Sequence, residues 1–417
     1  MPHFSIIIPV FNKWELTRNC LASLCEHGSG PSFEVIVVDN GSTDATATEL
    51  ASFGESLFGE QFRAIVLPEN KNFGPACNLG AKTAKAPVLF FLNNDTLVTS
   101  GWAEPLLTAL HENDAVGAVG PLLLYPDNTV QHVGVAFGAV GPLHLYQNFP
   151  EAHPVIAKAR DLQSITGAAF MIQTDFFHAC GSFCEEYKNG FEDLDLCVQI
   201  RKNGKKLRCV PQSRVYHLES QTPKRKANDT ENSRLFTQRC KQDVYIDLHY
   251  HALRDGFDVF ITDLFTIGVR LKNGQETALT AQAKTFGDAT TWAKLVRENP
   301  FWVRGREVLA QSLEQAGRQR EAVFFRMELA EIEPFFPRYR DMVRLASFAK
   351  HGAKQGAEQG AAWLEVVTRD MAVMERLATD KGIARKKIHS ILEKSRQGRD
   401  ELLETLYHEK FTRLFPE

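Results

Sequence analysis

The chain has 417 residues, a length that predicts two or three domains rather than one small hydrophobic core. Its hydrophobic content of 44% and charged content of 24% are those of an ordinary globular protein. The formal net charge of −3 argues against a general nucleic-acid-binding protein, which needs a basic excess to neutralise phosphates, so we expect no nucleic-acid partner.

The sequence also lacks the usual signals for membrane insertion or export. No segment approaches the roughly 20 consecutive apolar residues of a membrane-spanning helix. The start of the chain has no basic region, and Pro9 interrupts its apolar run, so we expect no signal peptide. The eight cysteines include no Cys-x2-Cys pair, which favours reduced thiols over metal ligands. We therefore expect a cytoplasmic protein.

The N-terminal part of the chain alternates between predicted strands and predicted helices. Short apolar runs predict strands at Phe4–Ile8, Phe33–Val38, Arg63–Leu67 and Val88–Leu92. Helical spacing or helix-capping residues predict helices at Trp14–Glu26, from Ser42 or Thr43 to about Phe53, and at Ala76–Ala84. This order predicts an α/β fold with a mainly parallel sheet and right-handed crossovers.

Polar residues follow three of these strands directly. Asp39, Asn40 and Ser42 follow the second strand, the loop 70–78 follows the third, and Asn93-Asn94-Asp95 follows the strand at Val88. Open α/β sheets bind ligands outside the carboxyl ends of their strands, so a nucleotide base and ribose could contact Asp39 and its loop. Each cluster alone is also typical of a turn or a helix cap. Two carboxylates ending neighbouring strands favour the binding site.

Asp95 is the candidate metal ligand of this edge. A carboxylate can hold Mg²⁺ or Mn²⁺ through oxygen, and such a hard cation suits a diphosphate. The first strand is not followed by G-x-G-x-x-G, and G-x-x-x-x-G-K-[ST] occurs nowhere in the chain. The dinucleotide-binding and P-loop classes therefore lose their main support.

Together these motifs resemble those of the family 2 inverting nucleotide-sugar glycosyltransferases, which have the GT-A fold. The resemblance covers roughly residues 4 to 220, keeps the family's motif order and is greatest to the rhamnosyltransferase-like branch. It implies a mixed, mainly parallel sheet with flanking helices. It also implies metal-dependent transfer of a hexosyl or deoxyhexosyl group, with inversion, from a nucleotide diphosphate to a hydroxyl acceptor. The matching segments are residues 8–12, 37–44, 70–74, 92–95, 131–134, 166–170 and 191–197.

The resemblance also assigns roles to individual residues. Asp39 would contact the base, and residues 93–95 occupy the Asp-x-Asp metal motif, with Asn93 in place of its first aspartate. The missing carboxylate implies weaker metal binding, or more dependence on the phosphates of the substrate. Asp95 and His217 are the expected metal ligands. The expected donor-binding residues are Pro9, Phe11, Asn12, Asp39, Asn40, Ser42, Asn72, Asn78, Asn93 and Asn94.

The middle of the chain is predicted to contribute the acceptor side of the site. A helix is expected at Trp102–Glu112 and a short strand at Ala115–Val119. Residues 138–160 are irregular and rich in Gly and Pro, which predicts a mobile lid-like loop. The apolar run Ser164–Ile172 predicts a strand in which Gly167 permits close approach of a ligand.

Glu192 and Asp193 begin a predicted helix. Acidic residues are favoured at helix N-termini by the helix dipole, which is one explanation of this pair. A hydroxyl acceptor also needs a base, and three carboxylates within residues 192–195 exceed what capping requires. The resemblance makes Asp193 the general base, with Glu192 orienting the acceptor or Asp193. His217 follows a predicted short strand at Leu207–Val210. The resemblance implies that it binds the metal or the diphosphate, whereas a lone histidine is more often structural.

Beyond about Pro223 the pattern becomes helical. We expect a catalytic domain at 1–222, a helical connector at 223–259 and an α-helical domain at 260–417. Helices are predicted at Leu235–Leu253 and around Ala384–Leu392, whereas Thr262–Val269 is ambiguous. Asn299-Pro300-Phe301 recurs as Glu333-Pro334-Phe335 at the period of a tetratricopeptide repeat, so the domain is either repeat-like or a plain bundle.

Two classes of function fit the sequence. The first is a bacterial family 2 glycosyltransferase of polysaccharide biosynthesis, with a surface polysaccharide, a lipid-linked glycan or a protein as acceptor. The second is a non-catalytic sugar-nucleotide-binding scaffold that recruits protein partners through its helices. The basic run Lys224-Arg225-Lys226 is either a solvent-exposed face or a contact for the diphosphate or for an acidic, membrane-linked acceptor. Binding of a membrane-linked acceptor would make the protein peripherally associated with the membrane.

Overall fold

The computed structural model describes residues 2–218, 228–286, 289–341, 357–395 and 400–416, with the backbone alone for 286 and 357–364. The chain divides into two compact units. The first comprises Met1–Ala136 and Leu143–Val244, and the second comprises Phe137–Pro142 and Tyr245–Glu417. The division at residue 244 falls within the predicted connector, while the predicted boundary at 222 and the basic run 224–226 lie outside the described residues.

Strands and helices alternate through the first part of the first unit. These elements are β1 Phe4–Val10, α1 Trp14–Glu26, β2 Phe33–Asp39, α2 Thr46–Phe58, β3 Phe62–Val66, α3 Phe73–Thr83 and β4 Val88–Leu92. The second part runs through β5 Thr96–Val98, α4 Ala103–His111, β6 Val116–Leu124, β7 Val130–His132, β8 Val135–Phe137, β9 Pro142–His144, β10 Ala169–Gln173, α5 Thr174–Ala179, α6 Glu192–Lys202, β11 Lys206–His217 and α7 Asp229–Cys240.

Within the described residues of the first unit, the strands form a nine-stranded sheet in the order β3-β2-β1-β4-β10-β6-β11-β5, with β7 beside β6. The first four strands are parallel, which confirms the predicted βαβ order. β10 then runs antiparallel to β4 and pairs Ala169 with Leu92. β11 is parallel to β6 and antiparallel to β5, where His217 pairs with Thr96. The predicted fold class, a mixed sheet with flanking helices followed by a helical region, is confirmed.

Several predicted boundaries near the polar edge are wrong. β1 passes through Pro9, whose fixed φ is compatible with an extended strand, and ends at Val10, whose carbonyl accepts from Asn40 N. α2 begins at Thr46 rather than after Ser42 or Thr43, because Ser42 Oγ accepts from Asn12 N instead of capping the helix. The third helix begins earlier than expected, at Phe73.

Other predictions fail in the middle of the chain. The predicted strand Ser164–Ile172 begins only at Ala169, while β6 and β11 are longer than expected, so His217 is the last residue of a strand. Residues 138–160 are mostly irregular, as predicted, but they include the short strand β9, and part of the segment is anchored. Asn148 N and Phe149 O bond to the backbone of Val130, and Phe149 and Ile156 are buried. The segment is therefore not a loop without contacts.

The described residues of the second unit are mainly helical. Its elements are α8 Leu248–Arg254, β12 Asp258–Ile261, β13 Ile267–Arg270, α9 Asn273–Phe286, α10 Ala289–Glu298, α11 Val303–Gln315, α12 Gln319–Ile332, α13 Ala357–Thr379, α14 Lys381–Leu392 and α15 Glu401–Leu414. β12 and β13 pair in an antiparallel hairpin, which resolves the ambiguous segment 262–269 as a turn and a strand and adds strands to a region expected to be all-α.

Two further helical predictions can be compared with this unit and its boundary. The predicted helix Leu235–Leu253 is instead two helices, α7 and α8, separated by residues 241–247. The helix expected around Ala384–Leu392 is present as α14. α11 and α12 form a helical hairpin between Pro300-Phe301 and Pro334-Phe335. That this hairpin is similar to a tetratricopeptide repeat stays a prediction. None of the helices in the described parts of the chain has the length and apolarity needed to cross a bilayer.

The close packing of α3 on the sheet generates a prediction about stability. A Cβ on Gly80 would lie 2.5 Å from Ile7 Cγ2 and 3.3 Å from Val38 Cγ2, both in buried strands. We expect Gly80→Ala to lower the free energy of unfolding by about 1–3 kcal/mol despite the better helix propensity of alanine. Chemical denaturation measures this change. Gly274→Ala in α9, where a Cβ meets nothing within 4 Å, is the control and should not destabilise. Equal stability of Gly80→Ala and the wild type would contradict this packing.

Candidate active site

The loops that follow β1 and β2 are joined by side-chain hydrogen bonds. Asn12 has a left-handed backbone with φ 57°, and its Oδ1 accepts from Thr43 N at 2.7 Å. Asn12 N donates to Ser42 Oγ at 2.7 Å, and Ser42 N donates to Asp39 Oδ1 at 2.9 Å. Phe11, 45% exposed, precedes this network. Because Val10 pairs with Asp39 across β1 and β2, the edge presents a fixed carboxylate near the accessible aromatic ring that follows Val10.

Asn40 ties the loop after β3 to the same edge. It is buried, its Nδ2 donates to Asn72 O at 3.0 Å, and its Oδ1 accepts from Lys71 N at 2.7 Å. Asn72 itself has φ 71°, a left-handed conformation that asparagine tolerates better than most residues. Asn40 thus positions the loop 70–72, and its amide oxygen and nitrogen each already have a partner within the chain.

Asn78 also has an internal role in this structure. Its Nδ2 donates to Phe183 O and Glu185 Oε1, both at 2.9 Å, and its Oδ1 accepts from Phe183 N at 3.0 Å. Both amide donors are engaged, so Asn78 connects α3 to the segment 183–185. This arrangement favours a positioning role over the predicted direct contact with a donor substrate.

The Asn-Asn-Asp turn is held from two sides. Asn94 Nδ2 donates to the hydroxyl of Thr17, a buried residue of α1, at 2.9 Å. Asn93 N donates to Ala168 O at 2.9 Å, which continues the pairing of β4 with β10 beyond the strand ends. The turn that carries Asp95 therefore lies directly beside the backbone of residue 168.

Asp95 and His217 form a close pair at this turn. Asp95 Oδ1 lies 3.1 Å from His217 Nε2, and Asn93 Nδ2 lies 3.4 Å from the same nitrogen. On the other side of the ring, Gln131 Oε1 lies 2.6 Å from His217 Nδ1, while Gln131 Nε2 donates to His217 O at 3.2 Å. Because the carbonyl can only accept, this bond fixes the orientation of the Gln131 amide, and His217 Nδ1 must carry the hydrogen. Nε2 is therefore the ring nitrogen that faces Asp95.

This donor set fits a hard divalent cation. A carboxylate and an imidazole nitrogen with its lone pair available are both metal ligands. Two neighbouring ligands of an octahedral ion with bonds of about 2.1 Å lie about 3 Å apart, close to the separation of Asp95 Oδ1 and His217 Nε2. Within the described residues, no group of three or more His, Cys, Asp or Glu could hold a metal, so the remaining ligands would come from a substrate or from water.

Asp193 reaches the same place from a different element. Its Oδ2 accepts from Gly167 N at 2.8 Å, and its Oδ1 accepts from Leu194 N at 2.8 Å in the first turn of α6. Gly167 was expected to leave space for a ligand, but the side chain of Asp193 fills that space: a Cβ on Gly167 would lie 3.1 Å from Asp193 Cβ. Since Gly167 precedes Ala168, one short segment bonds to both the metal-motif turn and Asp193.

The residues before Asp193 adopt an unusual backbone. Asn189, Gly190 and Phe191 have φ values of 54°, 150° and 75° in succession. A non-glycine residue in the left-handed region costs on the order of 1–3 kcal/mol, and such residues cluster at functional sites. Glu192 is buried, and its Oε2 accepts from Gly190 N at 2.6 Å. Glu192 therefore stabilises the approach to α6 rather than facing outward from its first turn.

The third carboxylate of this cluster, Asp195, is structural. It is buried and accepts from Tyr187 Oη at 2.9 Å, from Gln199 Nε2 at 3.2 Å and from Arg239 Nε at 2.5 Å. Burial alone would raise the pKa of Asp195, but the hydrogen bonds from Arg239 and Tyr187 outweigh it and lower the pKa. Of the three acids, Asp193 is the half-buried one and retains lone pairs beyond its two backbone bonds.

The sequence interpretation did not identify several residues that shape this site. Thr17 and Gln131 hold Asn94 and His217, and buried His132 accepts from Thr166 N at 3.3 Å through its Nε2. Burial, together with the nearby His144 and His217, holds the pKa of His132 well below its usual range. The motif Gln131-His132-Val133-Gly134 was a signal for two of these residues, but its spacing alone did not show what they contact.

The N-terminal part of the chain is similar to known proteins. Residues 5–178, a little less than half of the chain, match the family described as "Glycosyl transferase family 2". Asp193 and His217 lie beyond the matched residues. The O-antigen biosynthesis protein RfbC of Myxococcus xanthus is 30% identical over 227 residues, which are 52% of this chain and 17% of that protein.

Two further similarities extend over more of the chain. The uncharacterized protein y4gI of Sinorhizobium fredii is 29% identical over 265 residues, which are 60% of this chain and 29% of that protein. The chain thus spans less than a third of the length of either curated relative. The crystal structure of S. aureus TarS 1-349 is 15% identical, covers 84% of this chain and 92% of that chain, and has a TM-score of 0.42.

The ion pair of buried Asp195 with the partly exposed Arg239 generates a prediction about acid stability. Because the pKa of Asp195 is lowered from 3.8, its contribution is present above that value and is lost as the pH falls through the folded pKa. We expect Asp195→Asn to lower the free energy of unfolding by about 1–3 kcal/mol near neutral pH. The difference from the wild type should shrink as the pH falls below 3.8 and through the lowered pKa of the folded protein. Denaturation at several pH values measures it, with exposed Asp175→Asn as the control. A difference that is independent of pH would contradict the lowered pKa.

Proposed function

We propose that this chain, whose residues 5–178 match glycosyltransferase family 2, is an inverting, metal-dependent glycosyltransferase. It transfers a hexosyl or deoxyhexosyl group from a nucleotide-diphosphate sugar to a hydroxyl acceptor. The single observation that carries the proposal is the double attachment of residues 167 and 168. Ala168 O accepts from Asn93 N and Gly167 N donates to Asp193 Oδ2, so the metal-motif turn and a carboxylate base lie on either side of one short backbone segment.

The donor nucleotide is proposed to bind along the edge formed by the loops after β1, β2 and β3. The Asp39 carboxylate accepts from the base, and the exposed ring of Phe11 offers a face for stacking. Pro9, Asn12 and Ser42 shape the loops around Asp39, and Asn40 holds Asn72 in the third loop. In this proposal Asn78 positions α3 from below rather than contacting the donor.

Asp95 and His217 are the proposed ligands of Mn²⁺ or Mg²⁺. When bound, such a cation neutralises the charge that develops on the departing diphosphate. Asn93, which cannot supply a negative charge, remains near His217 as a neutral hydrogen-bonding group. Gln131 holds the His217 ring with its Nε2 toward Asp95, an orientation of the kind that outer-shell partners give to metal ligands. Asn94 anchors the turn through Thr17.

Asp193 is the proposed general base. The acceptor hydroxyl attacks the anomeric carbon, the bond to the diphosphate oxygen breaks with its electron pair leaving on the diphosphate, and the hydroxyl proton passes to Asp193. One displacement inverts the anomeric configuration. Glu192 orients Asp193 by fixing the entry to α6.

The acceptor and the biological setting belong to the same proposal. A relative named for O-antigen biosynthesis supports a bacterial enzyme of polysaccharide biosynthesis, acting in the cytoplasm on a growing glycan, a lipid-linked glycan or a protein. A lipid-linked acceptor would make the association with the membrane peripheral. The helical second unit is proposed to bind acceptor or protein partners, because none of the candidate site residues lies in it.

A donor screen tests the proposed function. The protein is incubated with a panel of UDP-, GDP-, CMP- and dTDP-sugars and Mn²⁺, and release of the free nucleotide is followed with water as the acceptor. We expect one nucleotide-diphosphate sugar to be cleaved faster than the others and the rate to fall when the metal is chelated. Tight binding of a nucleotide sugar without cleavage would instead support the non-catalytic scaffold.

Removing the metal-motif carboxylate should abolish the metal-dependent part of donor affinity. Asn93 stands in place of the first aspartate of the motif, so Asp95 is the negatively charged residue of the proposed ligand pair Asp95 and His217. We expect Asp95→Ala to bind the selected donor equally well with and without Mn²⁺, as measured by calorimetric titration. Exposed Asp114→Ala is the matched control and should keep the metal dependence. A metal-dependent gain in affinity that survives in Asp95→Ala would remove Asp95 from the metal site.

Replacing the base should stop transfer while leaving donor binding intact. Asparagine at residue 193 has nearly the same shape, and its single amide oxygen can still accept from one of the two backbone amides, Gly167 N or Leu194 N, but it cannot accept the proton. Positioned proton transfer is typically worth 10²–10⁴ in rate, so we expect Asp193→Asn to lower kcat by about a thousandfold. Asp175→Asn, which changes an exposed acid in the first turn of α5, is the control. Near-normal turnover of Asp193→Asn would exclude it as the base and direct the same test to Glu192.

A further inference from the structure

Three residues on one face of α7 hold the chain that leads into α6. Asn232 is buried, and its amide contacts both backbone groups of one residue: Oδ1 accepts from Lys188 N at 3.1 Å and Nδ2 donates to Lys188 O at 3.2 Å. Phe236 packs on Phe191 with the ring centroids 5.7 Å apart. Arg239 Nε bonds to Asp195 Oδ2. Residues 232, 236 and 239 are spaced at i, i+4 and i+7, which places them on one helix face. We name these three residues the α7 clamp.

The α7 clamp contacts a segment whose backbone conformation is intrinsically unfavourable. Asn189, Gly190 and Phe191 all have positive φ, and an aromatic residue at φ 75° is a rare conformation. Such conformations persist when the surrounding contacts determine them. The clamp contacts residue 188 before this segment, residue 191 within it and residue 195 after it. It therefore fixes both ends of the strained segment.

The strained segment connects the two halves of the proposed site. Asn189 Oδ1 accepts from Phe73 N at 2.8 Å, at the start of α3 and directly after the donor-loop residue Asn72. Gly190 N donates to Glu192 Oε2, and Asp193 follows. A shift of this segment would move Asp193 relative to Gly167 and would loosen the bond to Phe73. The segment is thus hydrogen-bonded to the residue after Asn72 and is continuous in the chain with Asp193, the proposed general base.

We propose that the α7 clamp sets the position of the Asp193 carboxylate, so that Asn232 and Phe236 are positioning residues for glycosyl transfer. The inference rests on the proposed function, because it assigns these residues a role in that reaction. It extends the site beyond the residues that match the family, since the match ends at 178 and α7 begins at Asp229. A misplacement of about 1 Å can cost about a hundredfold in rate. The clamp therefore governs turnover more than donor affinity.

A double-mutant cycle separates positioning from general stabilisation. Asn232→Ala and Asp193→Asn are made singly and together, and release of nucleotide diphosphate is measured with a radiolabelled form of the best donor from the panel and Mn²⁺. We expect Asn232→Ala to lower kcat about 10- to 100-fold, with the donor dissociation constant changed by less than about threefold. In the Asp193→Asn background the same change should lower kcat less than about twofold, because the base through which Asn232 acts is already absent.

Two further variants keep the result decisive. Phe236→Leu preserves an apolar side chain but removes the ring contact with Phe191, and it should show the same non-additivity with a smaller loss, about 3- to 10-fold. It replaces Asn232→Ala in the cycle if that variant does not fold. Glu231→Ala is the matched control, because Glu231 lies on the same turn of α7 and its exposed carboxylate pairs with the exposed Lys188 ammonium, 3.1 Å away. It should keep wild-type kcat.

The possible outcomes distinguish the clamp from the proposed function. Equal losses from Asn232→Ala in the wild-type and Asp193→Asn backgrounds would show that Asn232 acts through overall folding, which overturns the positioning role. Unchanged kcat in folded Asn232→Ala and Phe236→Leu would also overturn it, and in both cases the proposed transfer would stand. A wild-type protein that cleaves no nucleotide sugar would overturn the proposed function and the positioning role together.

Discussion

The antiparallel pairing of β10 with β4 is the constraint on which the candidate site depends. The first four strands are parallel, and polar residues follow them at one edge of the sheet. The proposed general base, Asp193, comes from a later element. β10 runs in the opposite direction and pairs Ala169 with Leu92, so the residues before β10 lie beside the residues after β4. Ala168 bonds to Asn93, and Gly167 bonds to Asp193. One change of strand direction therefore unites two motifs that are about a hundred residues apart in the chain.

The sequence predicts the donor side of this arrangement better than the acceptor side. A buried parallel strand is a continuous apolar run, and its end is visible where polar residues begin, as at Asp39 and at Asn93. The bounds of α1 and β4 are accordingly as predicted. The role of Gly167 was not predictable, because a small residue near a site indicates close approach without naming the approaching group. In the structure that group is the Asp193 side chain, not a ligand.

The three acids at the start of α6 show a second limit of sequence reasoning. Glu192, Asp193 and Asp195 are alike in composition, and each is compatible with a helix N-terminus. Their environments differ because α6 packs against different neighbours on each face. Asp195 meets Arg239 and Tyr187, Glu192 folds back to Gly190 N, and Asp193 accepts from two backbone amides. The partners that separate the structural acids from the proposed base come from the segment before α6 and, for Asp195, also from Arg239 of α7. The helical character of the second unit was predicted from hydrophobic periodicity and from the recurring Pro-Phe segments, not from functional motifs.

The central claim is that Asp193 delivers a single displacement at the anomeric carbon beside the cation site of Asp95 and His217. The anomeric configuration of the product tests it most directly. Proton NMR, recorded during the first turnovers of the best donor with Mn²⁺ and faster than mutarotation, reports the anomer released to water. The account predicts the anomer opposite to that of the donor. Release of the sugar with the configuration of the donor would contradict a single displacement and the assignment of Asp193 as its base.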